Sequence, residues 1–347
     1  MRERTRRVHA RVAPLRLPDT STVVDTLLEA TVAGSYTRLG IGARRALGPW
    51  EDVDGISLSG RTVLVTGATS GIGLAAARRL ARMGASVRIV GRNPEKADRA
   101  RDSIRADSGN PDVEHYLADL TDLRQVRRLG DSVLAAEPRL DALVHNAGAL
   151  LPTRTLSPQD HEVSFASMVL APALLTEDLL PLLTRSAEPA ATPPRLSRVV
   201  LVSSGGMYTQ RLDVDDPESS HAYTGSRAYA KAKRAQVVLA QRWAARWRDR
   251  GIVVHAMHPG WAATPGVHAS LPTFERIVGP LLRTPDEGAD TIVWLVASDG
   301  AVHSTGQFWH DRRPRSRYLL PGTRESEADR DRLDDLVEDA IAPFRGD

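Results

Sequence analysis

The chain has 347 residues, with 46 Lys plus Arg against 43 Asp plus Glu, and no Cys. That length suits one large domain with extensions, and the missing Cys excludes disulfides, thiolate metal sites and Cys nucleophiles. Basic residues are scattered beyond the first stretch, so the body shows no nucleic-acid footprint, and the ten His lack the His-x3-His or His-Glu-x2-His spacing of a metal site.

Arg2, Arg4, Arg6, Arg7, Arg11 and Arg16 open the chain with no apolar stretch of signal-peptide length behind them. Residues 1–18 read as a disordered arginine-rich arm and 19–58 as a helical extension. Within it, Val23, Val24, Leu27, Leu28 and Val32 form an amphipathic pattern, open to two readings: packing on the domain, or a peripheral membrane contact beside the basic arm. Residues 59–312 read as a single domain, and 313–347 as a C-terminal extension ending in a charged helix. No apolar run reaches bilayer length, so no transmembrane segment is expected and the location is expected to be cytoplasmic.

Short apolar runs mark strands at 62–65, 86–90, 113–117, 142–145, 198–202, 253–257 and 307–309, most of them continuous as in strands buried on both faces. Helical patterns alternate with them. Ser157-Pro158-Gln159-Asp160 reads as a helix start, as does Thr284-Pro285-Asp286-Glu287, which sends Ile292, Val293, Leu295 and Val296 inward. The alternation predicts an α/β fold: a Rossmann-like, doubly wound parallel sheet of about seven strands with helices on both faces.

Two constellations carry chemistry. The first follows the first strand: Thr66-Gly67-Ala68-Thr69-Ser70-Gly71-Ile72-Gly73 leads into a helical pattern with Leu74, Ala77, Leu80 and Ala81 at core spacing. Gly67 permits a sharp turn, Gly71 close backbone approach to a pyrophosphate, and Gly73 close packing of helix on strand. The helix start then offers free N–H groups to phosphate. The second involves lysine, present only as Lys96, Lys231 and Lys233. Lys233 stands four residues after Tyr229, so ammonium and phenol share a helix face. An ammonium beside a phenol favours the phenolate, which tunes the phenol for proton transfer.

Taken in order, these motifs resemble the short-chain dehydrogenase/reductase family over about residues 60–310. The resemblance implies a cofactor turn at Gly67, Thr69, Ser70, Gly71, Ile72 and Gly73, with adenine contacts at Asp119 and Leu120. It implies a fourth-strand motif at Asn146, Ala147 and Gly148, a catalytic serine at Ser204, and a nicotinamide loop at Pro259, Gly260 and Thr264. By the same resemblance Tyr229 and Lys233 also touch the cofactor. The runs 36–40, 229–239, 258–267, 287–291 and 308–313 are similar to the subgroup named dehydrogenase/reductase family member 12, which likewise carries an extension before the cofactor turn. Homo-oligomers through the helices of Met168 and Tyr229 are common in the family.

Cofactor choice can be argued from charge. An NAD site needs an acid at the end of the second strand. This strand ends Gly91-Arg92-Asn93, where Gly91 leaves room and Arg92 can pair with a 2′-phosphate, so NADP(H) is expected. The expected reaction interconverts a carbonyl and an alcohol on a small, apolar substrate. Tyr229 transfers the proton, Lys233 lowers its pKa and holds the ribose, and Ser204 orients the substrate oxygen. Met207, Tyr208, Leu212, Trp261, Leu271, Phe274 and Ile277 are expected to roof the pocket.

One residue departs from the family pattern. Met168 stands where the fourth-helix Asn would hydrate the lysine, unless the alignment slips to Ser167; a thioether accepts weakly and cannot donate. This leaves open a catalytically weak dinucleotide-binding sensor as the alternative. A sugar-nucleotide epimerase fits less well, because the turn is Gly-x3-Gly-x-Gly rather than Gly-x2-Gly-x2-Gly.

Overall fold

The computed structural model describes residues 20–29, 31–191, 195–270, 275–276 and 278–346. The arm at 1–18 and the expected roof residues Leu271, Phe274 and Ile277 lie outside the described residues, as do the side chains of Val23 and Val32. Three helices form the N-terminal extension: α1 (Thr20–Glu29), α2 (Val32–Tyr36) and α3 (Arg38–Leu47).

The apolar runs become parallel strands β1 (Thr62–Thr66), β2 (Ser86–Gly91), β3 (Val113–Leu117), β4 (Ala142–His145), β5 (Ser197–Val202), β6 (Ile252–Met257) and β7 (Phe308–His310). Their spatial order is β3-β2-β1-β4-β5-β6-β7. β1, β4, β5 and β6 are buried along their whole length, which explains why they read as unbroken apolar runs. An eighth strand, β8 (Arg313–Arg315), adds antiparallel to β7. Its turn residues Asp311 and Arg312 take φ of 49° and 58°, the left-handed values of a tight hairpin. Sequence pattern missed this hairpin because neither residue is the Gly or Asn that usually announces it.

Alternate strand residues feed two cores. Val63 and Val65 face α4 (Gly71–Arg82) and α5 (Pro94–Ser108), where Ala76, Leu80 and Ile104 are fully buried. Leu64 faces the opposite core, built on Val126 of α6 (Leu123–Ala136). That core also takes in a continuous helix, in which α7 (Val163–Phe165) passes through a π turn (Ala166–Leu170) into α8 (Ala171–Ser186). It is completed by α9 (Gly225–Arg246). The short α10 (Pro265–Ser270) follows β6, and α11 (Pro285–Ala297) joins the first core through Ile292 and Val293. The expected start of α11 is present as a full capping box between Thr284 and Glu287.

Two expectations need correction. Ser157 does not start a helix: its hydroxyl accepts from the N–H groups of Gln159 and His161, Asp160 takes φ 63°, and the helix begins after Glu162. The local side-chain bonds close a turn instead. The expectation that no apolar segment reaches bilayer length also fails, because Val163–Ser186 is long and apolar enough by length and composition. Pro172 and Pro181 broke the run in the sequence, yet the helix continues through both. Its apolarity serves the core: Leu170, Leu174, Leu175, Leu179 and Leu182 are buried against α6 and α9.

The charged C-terminal helix, α12 (Glu327–Ile341), docks on α8 and α9 by Leu333, Val337 and Ile341, with Arg242 of α9 reaching Glu327, Asp331 and Asp334 across the seam. The exposed ion pairs add little; the buried stripe holds the helix. Ile341→Ala is expected to lower stability by about 2–4 kcal/mol, read from urea denaturation, whereas Arg242→Ala should stay within about 1 kcal/mol.

Candidate active site

Strand order reverses between β1 and β4, which opens a crevice at their carboxyl ends. The turns after these strands meet there. Gly67 has φ 66°, and a Cβ on it would lie 2.7 Å from Ala147 Cα, so the cofactor turn and the segment 146–148 touch through glycine. Asn146 fixes this contact, its Nδ2 donating to the carbonyls of Thr66 and Gly67 at 3.0 and 3.1 Å. Thr66 Oγ1 accepts from the N–H groups of Asn146 and Ala147. Gly73 packs on the same knot, where a Cβ would fall 2.4 Å from Asn146 Nδ2.

At the mouth of the crevice α4 begins with Ser70, whose side chain does not cap the helix. The first N–H groups of α4 therefore lack an N-cap side-chain acceptor, as a phosphate cradle would. Ile72 packs beneath, against the backbone of Gly288. Gly71 sits against Thr264: a Cβ there would lie 3.3 Å from its Cγ2. The nicotinamide loop thus closes on the cofactor turn. The space at Gly91 is taken by Thr69, whose Cγ2 would lie 2.5 Å from a Cβ. Arg92 is exposed beyond it and forms no ion pair among the described residues, and Asn93 caps α5 by accepting from Lys96 N. Asp119 Oδ1 accepts from Thr121 N and Oγ1, which fixes the turn after β3, with half-buried Leu120 on the core behind. This donor set could hold a dinucleotide, with the turn Gly67 to Gly73 at the pyrophosphate.

Ser204, Tyr229 and Lys233 converge at the ends of β5 and α9. The Ser204 side chain stands close enough to the Tyr229 phenol to lower its pKa, and Ser204 Oγ accepts from Gly206 N at 3.2 Å. Lys233 Nζ lies 5.5 Å from the centre of the Tyr229 ring and donates to Val202 O at 2.7 Å. Ser203 Oγ donates to Lys233 O at 2.8 Å, tying strand to helix. Burial is the largest influence on both ionisable groups. It raises the Tyr229 phenol above its usual value, against the Ser204 side chain, and pulls the Lys233 ammonium down to about 7. The phenol is therefore raised rather than lowered as expected. A lysine near neutrality carries only part of a charge, and desolvation opposes the phenolate.

Met207 and Tyr208 do not roof the site, and Leu212 is buried in the core. A 3-10 turn at Gly205–Thr209 directs Met207 towards Arg234 of α9, and sets Tyr208 edge-on to Phe308 with its hydroxyl donating to Ser316 O. Half-buried Trp261 remains near the site. Gly225, four residues before Tyr229, packs on the segment at Leu150 and Leu151, where a Cβ on it would lie 1.9 Å from Leu151 O.

A further group of residues had no role in the sequence reading. Tyr36, from the extension, is buried against Gly205: a Cβ there would lie 2.7 Å from its ring. Its ring meets His258, His310 and Trp261 edge-on, at 4.2, 5.3 and 5.8 Å. Its carbonyl accepts from Trp261 N at 2.8 Å. Arg283 completes the cluster, donating to the carbonyls of Ser35, Tyr36, Thr37 and Pro259 and pairing two-pronged with Asp311. Gly260, at φ 79°, leaves the gap that Arg283 fills, since a Cβ would lie 2.3 Å from its Nε. Asp311 also receives Arg44. Burial pushes its carboxyl up, but His310, Arg283 and Arg44 outweigh that and hold it far below the usual carboxylate range. The runs 36–40, 258–267 and 308–313 were already set apart in the sequence; the fold brings all three to one place.

Comparison with known proteins now adds a lineage. The short chain dehydrogenase family model matches residues 61–210. The chain is 36% identical over 293 residues to dehydrogenase/reductase SDR family member 12 of Homo sapiens, covering 84% of this chain and 89% of that protein. It is 32% identical over 319 residues to retinol dehydrogenase 14 of Mus musculus, covering 86% and 92% respectively. Among solved structures, the Pseudomonas aeruginosa RhlG/NADP active-site complex superposes with a TM-score of 0.59 at 27% identity, covering 73% of this chain and 94% of that one.

Proposed function

Because the chain belongs to the short-chain dehydrogenase/reductase family of nicotinamide-dependent oxidoreductases, grouping there with member 12, we propose that it interconverts a carbonyl and an alcohol on a small apolar substrate, using NADP(H). The observation that carries this reading is the Lys233 ammonium over the Tyr229 ring, 5.5 Å from its centre, with Ser204 beside the phenol and a glycine-built crevice next to them. NADPH, when bound, supplies the hydride that reaches the carbonyl carbon. Tyr229 gives its proton to the carbonyl oxygen, and Ser204 donates a hydrogen bond to that oxygen as charge builds. Lys233, held by Val202 O, favours the tyrosinate left behind. Together, hydride and proton make the alcohol; the reverse path makes the carbonyl. Half-buried Trp261 supports an apolar substrate, as does the name of the retinol dehydrogenase relative.

The test begins with binding. Titration with NADPH and NADH, followed by energy transfer from tryptophan to nicotinamide, should show tighter NADPH binding. Arg92→Ala should weaken NADPH by roughly 10–100-fold and leave NADH nearly unchanged. Equal loss for both cofactors would remove the 2′-phosphate role of Arg92. NADPH consumption with decanal and acetophenone then tests turnover; binding without consumption across apolar carbonyls would favour a sensor.

A further inference from the structure

Gln236 follows Lys233 by three residues on α9 and is completely buried. Its Oε1 accepts from Lys233 Nζ at 3.1 Å, and its Nε2 donates to Met168 O at 2.8 Å. The two ends cannot be exchanged, because an ammonium only donates and a carbonyl only accepts. Met168 O thereby gains a side-chain donor. Pro172, four residues on, has no N–H to close the α-helical bond, and the chain passes through the π turn at that point. Gly148 presses on the same spot: a Cβ there would lie 2.8 Å from Met168 Sδ and 3.3 Å from Lys233 Nζ. Two protein acceptors, Val202 O and Gln236 Oε1, therefore fix the ammonium on one side and leave its remaining N–H for the reacting side.

We propose that Gln236 is a positioning residue for Lys233, holding the ammonium beside the Tyr229 phenol by bridging it to the π-turn carbonyl, a task the Met168 thioether cannot perform. This rests on reading Lys233 as the partner of Tyr229. The groups facing Nζ are Val202 O from β5, Gly148 after β4, Met168 from the π turn, and Tyr229 and Gln236 from α9. Among the described residues Tyr229 is the one titratable group in that set, and burial pulls the ammonium down while its two acceptors hold it. Removing the Gln236 acceptor should then disfavour the charged lysine, whereas a carboxylate in its place should favour it.

The chain's three lysines make this directly measurable. Protein labelled with carbon-13 at lysine Cε gives three signals, assigned with Lys96→Arg and Lys231→Arg, and is titrated without cofactor or substrate. Gln236→Met should move the Lys233 midpoint down, and Gln236→Glu should move it up, each by about one pH unit. Because the two substitutions drive the midpoint in opposite directions, general loosening of the core cannot mimic both. A fall in the acceptor-removing variant decides alone, because loosening would hydrate the lysine and raise its midpoint; Gln236→Leu replaces Gln236→Met if the latter is too unstable to titrate. Midpoints unchanged from the parent chain would overturn the proposal and leave Gln236 as a partner for Met168 O alone. Absence of carbonyl reduction by the parent chain would instead count against the proposed function, and would not alter the titration.

Discussion

Tyr229→Phe is expected to lower NADPH-dependent carbonyl reduction by roughly 10²–10⁴-fold while NADPH affinity stays within about twofold, because only the proton donor is lost. Lys233→Met should cause a comparable loss of turnover and also change how stability depends on pH. Burial pulls the folded-state ammonium from 10.5 to about 7. Between those values the unfolded chain binds more protons than the folded one, so this lysine makes stability rise with pH from about 7 to about 10.5. Below 7 the penalty is fully present, about 5 kcal/mol in the limit. Lys233→Met removes that dependence. At neutral pH the relief is offset by Val202 O and Gln236 Oε1 losing their donor, at about 1–3 kcal/mol each. Urea denaturation at a series of pH values should thus show the parent chain gaining on Lys233→Met as pH rises. Parallel curves would mean that the lysine is not buried in the way described here.

Sheet, cofactor turn and the Tyr229–Lys233 pair were legible in the sequence because each is a local pattern. Apolar runs become buried strands, glycines sit at fixed offsets, and two side chains four residues apart share a helix face. The rest is written in contacts between distant parts of the chain. Tyr36 and Asp311 share Arg283 as a partner, and nothing in either run names the other. Gln236 had a weak local signal: Pro172 must leave the Met168 carbonyl without its helical donor. That signal marks a missing α-helical donor, not a side chain that will also hold a lysine. Ser157 shows the opposite failure, where cap chemistry is present but its hydroxyl closes a turn. The phenol was misjudged because counting neighbouring charges neglects desolvation, which the structure makes the larger influence.

Arg283→Met is expected to cost about 3–5 kcal/mol, since it strips the two-pronged partner from a carboxylate that is fully buried. Arg44→Met removes another partner of Asp311 and should cost a similar amount. The two variants part company at the active site. Arg283 also donates to Pro259 O, and its backbone pairs with Trp261 and Ala263, whereas the Arg44 guanidinium, among the described residues, bonds to the extension and Asp311. With Arg283 gone, the gap that Gly260 leaves for it is empty, and the loop resting on Gly71 through Thr264 loses its backing. NADPH affinity should therefore fall clearly in Arg283→Met and little in Arg44→Met at matched stability. Adding Asp311→Leu to Arg283→Met should recover part of the stability, because the stranded charge is removed, but not the affinity. Urea midpoints with cofactor titrations on the three proteins check this. If affinity falls equally in both single variants, the extension and the loop act as one block, and Arg283 has no separate hold on the site.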